Sequence, residues 1–331
     1  MNNIKIIGNT PMIKINYEFK NNKKYIYAKL EYYNLTGSIK DRVALYMIKN
    51  AKKRGILKDD MPIIEATSGN TGISLSAIGK AYGHKVYIFM PDWVSIERRK
   101  LIKAYGAEVI LYSKEEGGFL RCIEEAKKLA IAKDGYLTNQ FSNKDNFLAH
   151  YETTGKEFIE QLPEELGGFI SGVGTGGTLM GTGKRLKEKF KDMLIACIEP
   201  DKMPLIANLK NNLYNKQELK EHKIEGIGDE FIPELININD LDDVILVNDE
   251  DSINMSKKMA NELGIGVGIS SGANFLGAIL LNEKTNKPVA TIFADDNKKY
   301  LSTDLFKNNA ISRRSQNLIS NNIKLNSYEL I

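Results

Sequence analysis

Two cysteines, three histidines and one tryptophan are all that the 331 residues hold of those types. Cys122 and Cys197 lie far apart with no C-x-x-C spacing, which excludes a disulfide framework and a zinc knuckle and leaves two small buried hydrophobes as the expectation. His84, His150 and His222 form no H-E-x-x-H and no ligand cluster, so each reads as a hydrogen-bonded structural histidine and no metal is expected. No apolar run approaches the roughly 20 residues that a membrane span needs. The opening MNNIKIIGNTP lacks an apolar stretch of signal-peptide length, so a cytoplasmic location is expected. Charge of one sign is scarce too: 46 Lys and Arg are interspersed with 42 Asp and Glu, for a net +4. There is no basic arm, and nucleic-acid binding does not follow.

What is present is ample apolar content, 42% hydrophobic, in an alternating order. KYIYAKL (24–30), MPIIEAT (61–67), VYIFM (86–90), AEVILY (107–112), YLTNQF (136–141), GGFISGV (167–173), LIACIEP (194–200), DDVILVN (242–248) and PVATIFA (288–294) read as strands. Between them, 95–106, 118–133, 146–161, 177–189, 250–263 and 273–281 read as helices, as do the segments after Lys40 and after Gly72. Strand and helix in alternation predict an α/β protein with parallel sheets covered on both faces. No compositional break or Ser/Pro linker separates the segments, which favours two lobes in close contact. The tail, 308–331, is rich in Asn and Ser and is compatible with a packed arm, a dimerisation segment or partial disorder.

Ligands of open α/β sheets bind beyond the carboxyl ends of the strands, and three loops have that position. Thr67-Ser-Gly-Asn-Thr-Gly72 runs from a strand into a helix N-terminus. Its small residues let backbone amides approach an anion, so a carboxylate or phosphate belongs there; the competing reading is a plain β-α turn with Asn70 as helix cap. Gly172-Val-Gly-Thr-Gly-Gly177 satisfies G-x-G-x-x-G, with Glu199 ending the next strand where a dinucleotide site places its acid. It suits a phosphate monoester equally well, so an NAD-dependent dehydrogenase stays in competition. Gly268-Ile-Ser-Ser-Gly272 offers two hydroxyls or is merely a tight turn.

The lysine of Asn34-Leu-Thr-Gly-Ser-Ile-Lys-Asp-Arg42 stands apart from the solvated surface lysines only if these loops converge on it. Ser38 and Asp41 have capping-box spacing, which puts Lys40 in the first turn of a helix. The positive end of the helix dipole disfavours an ammonium there, as a nucleophilic amine requires.

In order and wording, Ile7-Gly-Asn-Thr-Pro11, AKLEYYNLTGSIKDR, EATSGNTGISL, SIERRKLIKAYGAEV, HYETTGKE, GVGTGGT, HKIEGIG, VGISSGA and KYLST resemble the cysteine synthase and cystathionine β-synthase family. These are pyridoxal-phosphate enzymes of the tryptophan-synthase-β-like fold, fold type II. The resemblance implies two lobes, each a mostly parallel twisted sheet covered by helices, with pyridoxal 5'-phosphate in the cleft between them. Residues 42–145 would form a small mobile lobe and 1–41 plus 146–310 the large phosphate-binding lobe, leaving 311–331 as a tail. It implies that Lys40 forms a Schiff base with the cofactor and that Asn70 meets its ring hydroxyl. Gly174, Thr175, Gly176 and Thr178 would hold the phosphate, and Ser270 the ring nitrogen. Thr67, Ser68, Thr71 and Gln140 would hold the substrate carboxylate. Relatives are homodimers, and a homodimer is expected here.

The implied reaction is β-replacement on a small L-amino acid through an aminoacrylate, with a thiol or sulfide adding. Where sulfide-using relatives have small residues, this chain reads Gly226-Ile-Gly-Asp-Glu-Phe231, and Glu230 falls where cystathionine β-synthases carry an aspartate. A general base near Cβ helps a larger thiol or water more than it helps sulfide. Asp229 and Glu230 therefore point to cysteine or serine as substrate, with hydrogen sulfide or water released and lanthionine or cystathionine formed. The alternative is an O-acetylserine sulfhydrylase, and a more remote one a non-catalytic binding relative. Leu35 in place of the usual proline, and Ala294-Asp-Asp-Asn-Lys-Lys299 in place of P-D-S-G-E-R, are further departures.

Overall fold

A strand buried on both faces needs mostly apolar residues, and Val289–Phe293 and Ile63–Ala66 meet that demand: all nine residues are buried, and only Thr291 and Glu65 are polar. Each lies inside its own sheet in the computed structural model, which describes residues 4–211, 219–307 and 318–331. In chain order the larger elements are β1 (Met12–Phe19), β2 (Asn22–Leu30), α1 (Lys40–Lys53), β3 (Ile63–Ala66), α2 (Asn70–Ala81), β4 (Val86–Pro91) and α3 (Ile96–Ala104). There follow β5 (Glu108–Tyr112), α4 (Gly118–Ala132), β6 (Tyr136–Leu137), α5 (Lys144–Ala149), α6 (Gly155–Gln161), β7 (Gly168–Gly172) and α7 (Gly177–Lys189). The last are β8 (Leu194–Pro200), α8 (Leu205–Lys210), β9 (Asp243–Val247), α9 (Asp249–Leu263), α10 (Ile269–Asn282), β10 (Val289–Phe293) and β11 (Ile323–Leu330).

The strands form two sheets, in the orders β11-β1-β2-β10-β7-β8-β9 and β5-β4-β3-β6. The second is wholly parallel, and the first is parallel from β2 to β9. Apolar clusters fill both faces of both sheets, as the α/β expectation requires. The antiparallel edge was not expected: β1 pairs with β2, and the tail returns to pair with β1 from Ile13↔Leu330 to Phe19↔Ile323. Residues 323–330 thus pack as an arm.

Three local differences bear on the site. The strand expected over 136–141 stops at Leu137, because Asn139 adopts left-handed backbone (φ 51°), a conformation Asn tolerates better than most residues. The helix expected over 146–161 is broken by a π-turn at His150–Thr154. There the Thr153 hydroxyl bonds the Ala149 carbonyl at 2.6 Å, and buried His150 is aimed at Thr178. The third loop is no loop from Ile269 onward: α10 starts there, with Gly272 packed so closely on α9 that a Cβ would meet Ser256.

Candidate active site

One cleft gathers the chemistry-bearing loops. Its walls include Lys40, Thr67, Ser68, Asn70, Thr71, Gln140, Gly174, Thr175, Gly176, Thr178, Asp229 and Ser270, so the loops converge on the lysine. Lys40 is the first residue of α1. Burial lowers its ammonium to about pH 8, while the charges of Asp229 and Asp295 oppose that shift. The capping box is not formed: Asp41 accepts from the Thr36 amide and hydroxyl, both at 2.6 Å, and so braces the loop ahead of the helix. The α1 start is fixed again two residues on, where buried Arg42 donates to Glu31 at 2.6 and 2.9 Å and to Glu157 at 2.5 and 2.7 Å.

The glycine loop enters α7, whose positive end faces the cleft. Gly176 has φ 84°, and a Cβ on Gly174 would strike the Gly226 carbonyl, so these positions require glycine. Thr175 accepts from Asn146 Nδ2 at 2.8 Å, and the Thr178 hydroxyl lies 3.2 Å from His150 Nε2. Burial, with Lys40 and Arg42 nearby, holds His150 well below the usual imidazole range and hence neutral. Backbone amides, two hydroxyls and a helix N-terminus form a cradle for a phosphate group. Glu199, the acid that a dinucleotide reading needs, accepts the Ile206 and Ala207 amides at 2.8 Å each and caps α8 instead.

At the other wall, Thr71 donates to Gln140 at 2.6 Å, and the Gln140 amide group donates to the Ala66 carbonyl at 3.0 Å. Buried Glu65 holds this turn through the Gln140 amide at 2.9 Å and the Thr138 hydroxyl at 2.5 Å. Asn70 is not a helix cap. It is the first residue of α2, and its Nδ2 donates to Asp295 at 2.7 Å. Ser270, in the first turn of α10, is buried at the cleft wall and offers a neutral hydroxyl.

Of the two acidic candidates, the structure brings one to the cleft. Asp229 lines it; burial raises its carboxyl to about 7, with Lys40 opposing the shift and Glu230 adding to it. Glu230 is exposed and is not among the cleft residues. Just before them Gly226 (φ 94°) and Gly228 (φ 74°) turn the chain in left-handed backbone. Sequence reasoning missed Asn146, which also donates to the Gln140 carbonyl at 2.8 Å and so joins the two walls. It also missed Arg98, Glu225, Asp295 and Lys299. Of these, Arg98 and Glu225 line the cleft and form an ion pair in which Arg98 is buried and Glu225 is half-buried.

Residues 4–295 match the family described as pyridoxal-phosphate-dependent enzyme. The chain is 40% identical over 311 residues to a probable cysteine synthase of Bacillus subtilis, covering 92% of this chain and 97% of the relative. It superposes on a hydrogen sulfide-producing enzyme of Fusobacterium nucleatum with a TM-score of 0.91 and 46% identity, covering 99% of this chain and 97% of that one. An aspartate-to-asparagine form of that enzyme, solved with an α-aminoacrylate intermediate, superposes with a TM-score of 0.90 over 97% of this chain and 95% of that one. A cysteine synthase of Entamoeba histolytica gives 0.86 at 36% identity, over 97% and 95% of the two chains.

Proposed function

Because the chain belongs to the pyridoxal-phosphate-dependent enzymes, and among them to the cysteine synthase family, we propose that it removes the sulfur of L-cysteine as hydrogen sulfide and replaces it at Cβ. The observation that carries this reading is Asp229 beside Lys40 in the cleft. Acetate leaves Cβ without help, whereas a thiolate leaves more readily as it takes up a proton, and an incoming thiol or water must lose one. A carboxyl that titrates near 7 suits both transfers at neutral pH. Asp229, rather than Glu230, is the residue we assign to them.

The cofactor of the family is pyridoxal 5'-phosphate, and the donors present fit it: a desolvated amine and a phosphate cradle line the same cleft. When bound, it supplies the electron sink that acidifies Cα and lets the Cβ substituent depart. Lys40 would hold its carbonyl carbon and afterwards move the Cα proton. Gly174, Thr175, Gly176 and Thr178 would hold the phosphate, Asn70 the ring oxygen and Ser270 the ring nitrogen. A neutral hydroxyl stabilises a protonated ring nitrogen less than a carboxylate does, which favours elimination at Cβ over transamination. Thr67, Ser68, Thr71 and Gln140 would hold the substrate carboxylate and set Cβ toward Asp229. The acceptor is a second thiol, giving lanthionine or cystathionine, or water, giving serine.

The second reading, an O-acetylserine sulfhydrylase, is favoured by the cysteine synthase names of the curated relatives. Product analysis by mass spectrometry decides between them, with L-cysteine alone, L-serine plus a thiol, and O-acetylserine plus sulfide as the three inputs. Turnover of cysteine alone with hydrogen sulfide release supports the first reading; turnover of O-acetylserine only refutes it. We further propose a cytoplasmic homodimer whose small lobe, 42–145, closes over substrate. Among the described residues no helix is long and apolar enough to cross a membrane.

A further inference from the structure

The loop after β10 is one of the segments that depart from the family wording, and it reaches across to Asn70 from the other sheet. Lys299 is 4% exposed and Asp295 fully buried. Lys299 Nζ donates to Asn70 Oδ1 at 3.1 Å, and Asn70 Nδ2 donates to Asp295 Oδ2 at 2.7 Å. Both ends of one amide are therefore gripped by groups of opposite charge. We infer that Lys299 and Asp295 are positioning residues that lock the Asn70 amide in the orientation presenting an N–H, not a carbonyl oxygen, to the cleft. The inference rests on the reading of Asn70 as the contact to the cofactor's ring oxygen.

A side-chain amide has two N–H donors and one carbonyl acceptor. With the carbonyl held by an ammonium and one N–H by a carboxylate, the group left for the cleft is the second N–H. Turning the amide over would set its oxygen against the Asp295 carboxylate and its NH2 against the Lys299 ammonium. Losing two charge-assisted hydrogen bonds disfavours that state on the order of a hundredfold. The grip is itself held from several sides. Lys299 also donates to the Gly37 carbonyl at 2.9 Å, in the loop that leads to Lys40. Asp295 accepts from the Tyr300 hydroxyl at 2.9 Å, and Arg98 lies 5.0 Å from the Tyr300 ring centroid. A donor polarised by a neighbouring ammonium is a stronger donor, which suits a ring oxygen that carries negative charge.

The test uses reconstituted holoenzyme and two readouts besides activity: the visible absorption band of the bound cofactor, and the cofactor dissociation constant measured by titrating apo-protein. Lys299→Met should shift the band and weaken binding roughly tenfold, and Lys299→Arg should restore both. If Lys299 works through Asn70, then Lys299→Met introduced into Asn70→Ala should add no further band shift, because the two changes share one path. An equal shift with and without Asn70, or lost thermal stability with the band unmoved, overturns the proposal. Where Lys299→Met does not fold, Lys299→Gln keeps a donor without the charge and should shift the band by a smaller amount; an unchanged band there also overturns it. Asn70→Ala alone separates the two failures, since an unmoved band and affinity in that variant would sink the reading of Asn70 itself.

Discussion

Asp229→Asn removes the carboxyl that titrates near 7 while keeping the volume of the side chain. A positioned acid or base contributes about 10²- to 10⁴-fold to a step that needs proton transfer. Hydrogen sulfide release from L-cysteine should therefore fall by at least about a hundredfold in the variant. Addition of sulfide to the intermediate made from O-acetylserine needs no such transfer, because a substantial fraction of sulfide is present as the hydrosulfide ion at neutral pH, and it should fall less than about tenfold. The pH profile carries the sharper test. In the wild type the carboxylate form required for the incoming acceptor is gained as pH rises through about 7, and that limb should vanish in the variant. The Asp229 charge also opposes the lowering of Lys40, so its removal should drop the apo-enzyme's Lys40 titration below about 8. Hydrogen sulfide release is followed colorimetrically and the amino-acid products by mass spectrometry. An equal fall for both substrates, or an acid limb that persists in Asp229→Asn, would refute the assignment.

Lys40→Ala should abolish turnover and the covalent attachment of the cofactor, read as loss of the visible band after dialysis, while the circular dichroism of the fold is retained. Gly174→Ala forces a Cβ into the Gly226 carbonyl and should raise the cofactor dissociation constant at least about tenfold, measured by fluorescence titration. Arg42→Met leaves the buried carboxylates of Glu31 and Glu157 without their shared guanidinium and should cost about 3–5 kcal/mol in urea unfolding. Burial alone would raise Glu157, but Arg42 and Lys29 outweigh it and hold the group at about 2. Its folded-state pKa is thus below the unfolded value of about 4.5, so the stability it contributes is present above that value. That contribution is lost as pH falls from about 4.5 toward 2, and Arg42→Met should flatten the acid unfolding curve in this window.

What the sequence made legible was chemistry written in contiguous strings. The lysine loop, Thr67 to Gly72 and Gly172 to Gly177 each carry their own turn residues and open onto a helix. Because parallel strands end on one edge of a sheet, the loops after β2 and β7 share a rim, while the loop after β3 comes from the other sheet and meets them at the same cleft. What the sequence hid is contact at long separation. Asn70 meets Asp295 and Lys299 across 225 and 229 residues, and no local period records that meeting. The same holds for β1 and β11: both alternate in part, yet alternation alone does not say that residue 13 will face residue 330. Asp229 and Glu230 were illegible for the opposite reason. They are adjacent and chemically alike, and only the folded chain shows which carboxyl enters the cleft. Residues that act on substrate were thus readable where a single loop supplies them. Residues that orient those residues were not, because the fold draws them from whichever element happens to pack against the loop. In this chain one such element is the loop after β10, one of the segments whose wording departs from the family, so variation there should tune the cofactor's surroundings and leave the reaction type unchanged.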